Sequence, residues 1–544
     1  MVTISLREAL LLLGVLLIIT KAVGIGPFSN KRAGLAPGPP GVCSYSVEDP
    51  SMIDNITGKP FIGNLLDVPP FHSWLKFKEW ADQYGPIMSI NLGGRLNYIV
   101  STEKIANDLL RERGNIYSDR EQTPAGAQLL SGGLRPLLLP YNDVWRNGRK
   151  LMHHLTMTKK ANSYQPTQLL ESTKMLHDLI KSPKDYEFFF ERYASGVIFR
   201  LAFGKRIDEK NEPILRRIVK VNHTLEKVAS PGSYLVDTFP SLMYLPRFLA
   251  PWKRELEDYH TFESTLFKEL LEDVKKDLKE GQATDCWEKY FVEHASEYSL
   301  TEEQGAYVIG TLFEAGSGTT AAAMMSFLLA MVHYPEWQTK VQHEIDQVVP
   351  RSRLPTFDDL PNLPTVRAMA KETVRWRPVT AGGVPHMLSR EDTYNGFVLP
   401  AGTNVHANQW AIHHDKELYP DPDNYNPERW LNPKYPTYKE PLTIHPNLQN
   451  FSCFGFGRRI CPGQNIAERS LFILVARIMW TCKISKAKDA TGHEIDVPLY
   501  NYTTGFNAQP KSFPFELKPR DDSRLGVVEK EYEFWQMNDP LVGR

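Results

Sequence analysis

"FSCFGFGRRICPGQNIAERSLF", Phe451 to Phe472, decides how the rest of this chain is read. Glycines and arginines crowd around Cys461, and an apolar helix-like pattern begins near Gln464. A buried structural thiol behaves as a small hydrophobe and needs no such scaffold. A helix starting near Gln464 points its amide N–H groups, and the positive end of its dipole, at the sulfur. Gly457 and Gly463 allow the tight turns that bring those amides close. The pattern points to a sulfur positioned for chemistry.

The chain around it is ordinary in bulk: 544 residues, 42% hydrophobic and 23% charged, with a net charge of -1. Nothing in that balance calls for a nucleic-acid partner, so any basic surface is local. The five cysteines, Cys43, Cys286, Cys453, Cys461 and Cys482, are odd in number and widely spread, unlike a disulfide framework. No C-x-x-C or zinc-like Cys/His spacing occurs. Sequons at Asn55, Asn222, Asn450 and Asn501 matter only for a chain that enters the secretory lumen.

The N-terminus argues against that. "ALLLLGVLLII", Ala9 to Ile19, is uninterrupted apolar sequence, and weaker apolar character continues past Lys21 to Ile25. Residues 1–26 thus read as a short single-pass membrane anchor, Lys21 snorkelling to the interface. A cleaved signal peptide is the competing reading, but no good small-residue cleavage site follows. Lys31 and Arg32 after the apolar run place the bulk of the chain in the cytosol.

Residues 27–58 form a hinge. "LAPGPPG", Leu35 to Gly41, is a stiff proline-rich spacer, and "GKPFIGNLLDVPP" resumes its pattern after an interruption. The interruption, roughly 42–57, opens with Val-Cys, which is also what a common fungal intron start would encode. It reads either as a retained intron or as a real surface loop, and sequencing the mature transcript decides between them.

From residue 59 to 520 the patterns are mostly helical, with short strand-like runs near the start, "IMSINLGG" and "LNYIVST". This is a single mainly α catalytic domain with small β portions, followed by a tail at 521–544. Its outstanding helix runs from a capping box at Thr301 and Gln304 to Pro335. At about 1.5 Å per residue it spans about 48 Å, enough to cross a domain. A helix this apolar on all sides is buried. Gly316 and Gly318 interrupt its middle, just before Thr319 and Thr320. Each costs about 1 kcal/mol relative to alanine there. Either something lies against the backbone at that point, or the glycines serve close helix packing with the threonines bonded back to carbonyls.

The separate pieces converge on one family. "FGFGRRICPG" fits F-x-x-G-x-R-x-C-x-G through Phe454, Gly457, Arg459, Cys461 and Gly463. "KETVRW" supplies the E-x-x-R pair Glu372 and Arg375, "NPERW" supplies Arg429, and "WRNGR" supplies W-x-x-x-R through Trp145 and Arg149. "AGSGTT" follows an oxygen-binding helix signature at all but one position. In this order the motifs resemble the cytochrome P-450 haem-thiolate monooxygenases over nearly the whole chain after the anchor. The resemblance implies the family's fold, a large helical domain with a smaller β-rich portion.

It also implies haem b with Cys461 as the axial thiolate, a ligand that donates electron density and favours oxygen–oxygen bond cleavage. By the same resemblance Phe454 belongs to the cofactor loop, and Arg459, Trp145, Arg149 and His386 contact the haem propionates. A satisfied core histidine is the competing reading of His386. Glu372, Arg375 and Arg429 read as a buried structural triad.

One departure matters: Gly318 stands where the family usually has an acid before its threonine. Thr319 and Glu314 are therefore the candidate catalytic residues. Thr319 is the retained alcohol, and Glu314, four residues before the missing acid, is a substitute proton carrier. The departure also admits an alternative, a haem-thiolate isomerase or dehydratase needing neither dioxygen nor reductase. Otherwise the resemblance implies an endoplasmic-reticulum enzyme that oxidises an apolar small molecule with electrons from an NADPH-cytochrome reductase. Arg146, Arg149, Lys150, Lys159 and Lys160 form a basic cluster for that partner, or merely a solvated face.

Aromatic, proline-rich sequence from Tyr234 to Trp252 reads as an apolar entrance near the bilayer. Residues 381–384 and 503–506 fall where family members line the pocket. "AERSLFILVARIMW" and "GFNAQPKSFPFELKPR" resemble filamentous-fungal members of secondary-metabolite pathways.

Overall fold

A computed structural model describes residues 34–39, 62–208, 211–230, 232–438, 448 and 450–542. The expected anchor at 1–26 and the insertion at 42–57 lie outside the described residues.

The centre of the molecule is set by six helices: α1 (Asp143–Thr156), α2 (Gln165–Lys181), α3 (Tyr186–Phe203), α4 (Glu212–Ala229), α5 (Pro251–Lys279) and α6 (Glu302–His333). α6 starts where the capping box predicts. Gln304 N–H donates to Thr301 Oγ1 at 3.2 Å, and Thr301 N–H to Gln304 Oε1 at 2.9 Å. The helix is buried nearly all round and packs against α1, α3, α4 and α5. Among the described residues it is the helix long and apolar enough to cross a membrane, and it serves as the core instead. Gly316 allows a close approach to α3: a Cβ there would meet Ile198 at 2.6 Å.

α7 (Pro364–Trp376) and α8 (Gln464–Thr481) close this core against α6. α7 carries the expected triad. Arg375 donates Nε and Nη2 to the two Glu372 carboxylate oxygens at 2.8 Å each, and Arg429 Nε reaches Oε1 at 3.3 Å. Asn426 N–H and Trp430 Nε1 complete the shell around Glu372 at 2.9 and 3.1 Å. Both guanidiniums also tie down the stretch 413–422, between α7 and α8, through the carbonyls of His413, Pro420, Asp421 and Pro422. Three buried charges are thus converted into a brace for the chain that leads to Cys461.

The β portion is a four-stranded sheet in the order β1 (Ile87–Leu92), β2 (Arg95–Val100), β6 (Asn404–Ala407), β3 (His386–Met387). β1 and β2 are an antiparallel hairpin with Ile87 opposite Val100, and β2 pairs parallel with β6, Tyr98 opposite Val405. Two small antiparallel pairs, β4 (Asp392–Tyr394) with β5 (Phe397–Leu399) and β7 (Cys482–Lys486) with β8 (Phe515–Pro519), complete it. The sheet has its own apolar core, beside the larger helical one.

Two stretches differ from the sequence reading. Residues 34–39, read as spacer, are part of the folded body: Ser89 of β1 donates its N–H to Pro37 O at 3.0 Å and its hydroxyl to Ala36 O at 2.6 Å. The segment after 520, read as a tail, forms a helix, α9 (Asp522–Asn538), packed on α2. Arg200 of α3 holds the chain beyond it, donating to both Asp539 oxygens at 2.8 and 2.6 Å.

Candidate active site

The cysteine loop is built by backbone geometry. Gly457 has φ +56, and a Cβ on it would lie 2.0 Å from the Leu110 carbonyl oxygen. Only glycine fits so close an approach in the left-handed region. The loop then folds back, with Cys461 N–H donating to Phe454 O at 2.8 Å. α8 begins at Gln464, and the amides of Gly463 and Gln464 hydrogen-bond to the Cys461 sulfur. Burial pushes the Cys461 thiol up from its usual range, while these two amides and the Arg149 guanidinium pull it back. The sulfur is half-buried, prepared for negative charge and free of any disulfide partner among the described cysteines.

Around it lies a cluster of cations. Arg459 donates Nε to Ser118 O at 2.8 Å and Nη2 to Leu139 O at 2.8 Å, and its guanidinium lies 4.2 Å from the Trp145 ring centroid. Arg149, one turn after Trp145 on α1, donates to Ile460 O, beside Cys461. His386 on β3 is buried, with Nδ1 2.7 Å from the Tyr117 carbonyl. A carbonyl only accepts, so Nδ1 carries the proton and Nε2 of the neutral ring is left as an acceptor. Burial, then the nearby Arg120 charge, holds His386 well below its usual range.

Arg120 is the member that no sequence motif marks. It is 5% exposed, donates to the carbonyls of Val384 and Pro385, and has no partner for Nε among the described residues. Burial lowers Arg120 to about 9; burial, and then the Arg120 charge, lowers Arg459 to about 8. Among the described residues no carboxylate is hydrogen-bonded to the guanidinium of Arg120, Arg149 or Arg459; the Asp119 carboxylate accepts the Arg120 backbone N–H at 2.9 Å. One buried and two half-buried guanidiniums whose hydrogen-bond acceptors are neutral carbonyls, next to an amide-capped thiolate site, fit a group that brings its own anions and a cation for the sulfur. Haem, with two propionates and an iron, has that chemistry.

The middle of α6 faces open space. Ala315 is exposed, and Gly318 and Thr319 are half-exposed, in a helix otherwise closed on both sides. Thr319 donates its hydroxyl to Ala315 O at 2.9 Å, leaving the oxygen lone pairs as acceptors for water. Gly318 differs from Gly316: a Cβ built on it meets nothing within 4 Å. The missing acid is therefore replaced by space.

Glu314 is turned into a buried network. Arg135 donates Nη1 to Glu314 and Nη2 to Glu263 of α5, and all three side chains are almost fully enclosed. Arg135 and Glu263 carry no motif, and their pairing across 128 residues has no local signature. The basic cluster expected for a redox partner divides. Arg146, Lys150 and Lys159 are exposed, whereas Arg149 turns inward to Ile460.

The comparisons agree with this geometry. The Cytochrome P450 family model matches residues 55–511. Cytochrome P450 monooxygenase virE of Hypocrea virens is 37% identical over 476 residues, covering 87% of this chain and 86% of that protein. Cytochrome P450 monooxygenase psoD of Aspergillus fumigatus is 36% identical over 482 residues, covering 87% and 92%. A zebrafish cytochrome P450 solved with progesterone superposes with a TM-score of 0.67 at 25% identity, over 83% of this chain and 100% of that one. These relatives are named monooxygenases, which does not favour the isomerase or dehydratase alternative. A cysteine loop capped by helix amides, nearby arginines whose guanidiniums bond only to carbonyls and an opened central helix suit haem-thiolate chemistry, and this chain belongs to the cytochrome P450 family as a haem-thiolate monooxygenase.

Proposed function

We propose that this enzyme inserts one atom of dioxygen into an apolar small molecule of a fungal secondary-metabolite pathway and releases the other atom as water. Two electrons per turnover come from NADPH through a separate cytochrome reductase. The observation that carries the reading is the amide-capped Cys461 sulfur beside three enclosed or half-enclosed arginines whose guanidiniums make no hydrogen bond to a carboxylate among the described residues. When bound, haem supplies the oxidising chemistry, its iron held by Cys461.

The protein's own groups do the rest. Arg120, Arg149, Arg459 and, once a propionate favours its second proton, His386 hold the carboxylates and fix the ring. Trp145 stacks under Arg459 and keeps that guanidinium in place. Phe454 accepts the Cys461 N–H through its carbonyl and sets the loop's depth. Thr319 orders water on the open face of α6.

Leu235, Tyr244, Phe248 and Leu249 are 65%, 84%, 83% and 57% exposed, which supports an apolar entrance resting on a bilayer, with residues 1–26 as the anchor. Asn222 Nδ2, the atom a glycan would use, is instead donated to Ser317 Oγ at 2.6 Å, which supports a catalytic domain in the cytosol of the endoplasmic-reticulum membrane. Exposed Arg146, Lys150 and Lys159 offer the reductase a basic face.

Turnover of candidate pathway intermediates under oxygen-18 gas, with reductase and NADPH, tests the reading. One labelled oxygen in the product is expected. Turnover to product without reductase or dioxygen would overturn it.

A further inference from the structure

The chain keeps the oxygen-side threonine but has lost the acid beside it, and the structure shows what stands nearby. Glu314 lies one turn before Gly318, about 40° round the helix from it, while Ala315 and Thr319 flank the same side. Glu314 Oε2 is bound to Arg135, and its Oε1 has no partner among the described residues. The space next to Gly318 is empty out to 4 Å. A carboxyl oxygen without a partner and a gap large enough for water thus lie one turn apart on the helix that carries Thr319.

Behind Glu314 the network runs outward. Arg135 also binds Glu263, burial and then the nearby Glu263 charge raise the Tyr307 hydroxyl above its usual range, and Tyr307 Oη lies 3.1 Å from Nδ1 of half-buried His260. His260 Nδ1 also faces the Leu130 carbonyl at 2.9 Å, so it carries a proton and points the chain inward. Glu226 of α4 adds one more negative charge nearby. One guanidinium against two enclosed carboxylates leaves a charge that a proton neutralises at least cost.

We propose that Glu314 carries the protons of dioxygen reduction from the Arg135–Glu263 network to the Thr319 face of α6, through water in the gap beside Gly318. This rests on the monooxygenase reading. Each turnover takes substrate RH, dioxygen, two protons and two electrons to ROH and water. The electrons come from NADPH through the reductase, one oxygen enters the C–H bond, and the other leaves with both protons. Glu314 gives a proton and is reloaded twice per cycle. After each donation the trio of Arg135, Glu263 and Glu314 is left with a net negative charge, which draws the next proton along the His260–Tyr307–Glu263 side. Arg135 and Glu263 are positioning residues: they hold the carboxyl and keep it protonated. Burial, opposed by Arg135 and reinforced by the Glu263 charge, raises Glu314 to about 8. The proton is therefore present at neutral pH and lost above about pH 8.

The test pairs an infrared titration of the haem-loaded resting enzyme with a coupling measurement. The parent is expected to show a protonated-carboxyl band at neutral pH that fades as pH rises through about 8. Glu314→Gln should abolish it. Glu263→Gln should also abolish it at neutral pH, because one guanidinium then faces one carboxylate. In reductase-driven turnover Glu314→Gln should lower product formed per NADPH by about tenfold or more, as loss of a general acid does. Gly318→Asp on that background, restoring an acid where the helix has room, should recover coupling. A component fading through about pH 8 that survives both substitutions, or a Glu314→Gln enzyme that stays fully coupled, overturns the proposal. A parent enzyme that forms product without dioxygen overturns the monooxygenase reading instead, and the infrared result then still decides whether Glu314 holds a proton.

Discussion

Two glycines of one helix, two residues apart, have opposite meanings. A Cβ on Gly316 would strike Ile198, while one on Gly318 meets nothing. Gly318→Ala should therefore stabilise the protein by up to about 1 kcal/mol through helix propensity alone. Gly316→Ala should cost about 1–3 kcal/mol by overpacking against α3. Thermal midpoints of the two variants check both signs. At Glu372 five donors from four residues converge on a carboxylate with 0% exposure. Glu372→Ala leaves Arg375 and Arg429 buried without it and should cost about 3–5 kcal/mol, read as haem-free protein during expression. Arg120→Leu should act differently. On the proposed reading it removes a propionate donor without touching the sulfur, so haem should dissociate faster while the ferrous–carbonyl spectrum keeps its thiolate position.

At the scale of elements, α6 and the cysteine loop were legible because their signals are local. A capping box four residues long and a ten-residue loop motif each carry their own geometry. The triad at Glu372 was legible because its partners sit in two short motifs. Arg120, Arg135 and Glu263 were not: each is a lone charged residue whose partners come from distant chain, and no periodicity marks a buried charge. The same reason hides the role of α9. Its anchor, Asp539 on Arg200, joins positions 339 residues apart, and nothing around residue 521 separates a docked helix from a tail. Removing residues 522–544 should leave Arg200 short of a buried partner and cost at least about 3 kcal/mol, measured as a lowered denaturation midpoint.

The whole molecule combines a helical core, a small sheet and an arginine-braced loop region whose histidines are enclosed. His413 is one of them, 2.9 Å from Gln409 O and 3.1 Å from Ser452 Oγ, and burial with the Arg375 charge lowers it to about 3. Its folded value lies below the unfolded value of about 6.5, so the unfolded chain binds the extra proton. Stability from this group is complete above about pH 6.5 and falls as pH drops towards about 3, by at most about 1.4 kcal/mol per pH unit. Thermal midpoints should decline across that window, less steeply in His413→Asn. Every one of these devices converges on the placement of a single sulfur. The ferrous carbon-monoxide spectrum, recorded for the parent and for Cys461→Ser, tests that placement most directly. The parent should show the long-wavelength Soret band of a thiolate-ligated haem, and the variant should lose it. An unshifted band in the parent, or a shifted band that survives in the variant, would contradict the account.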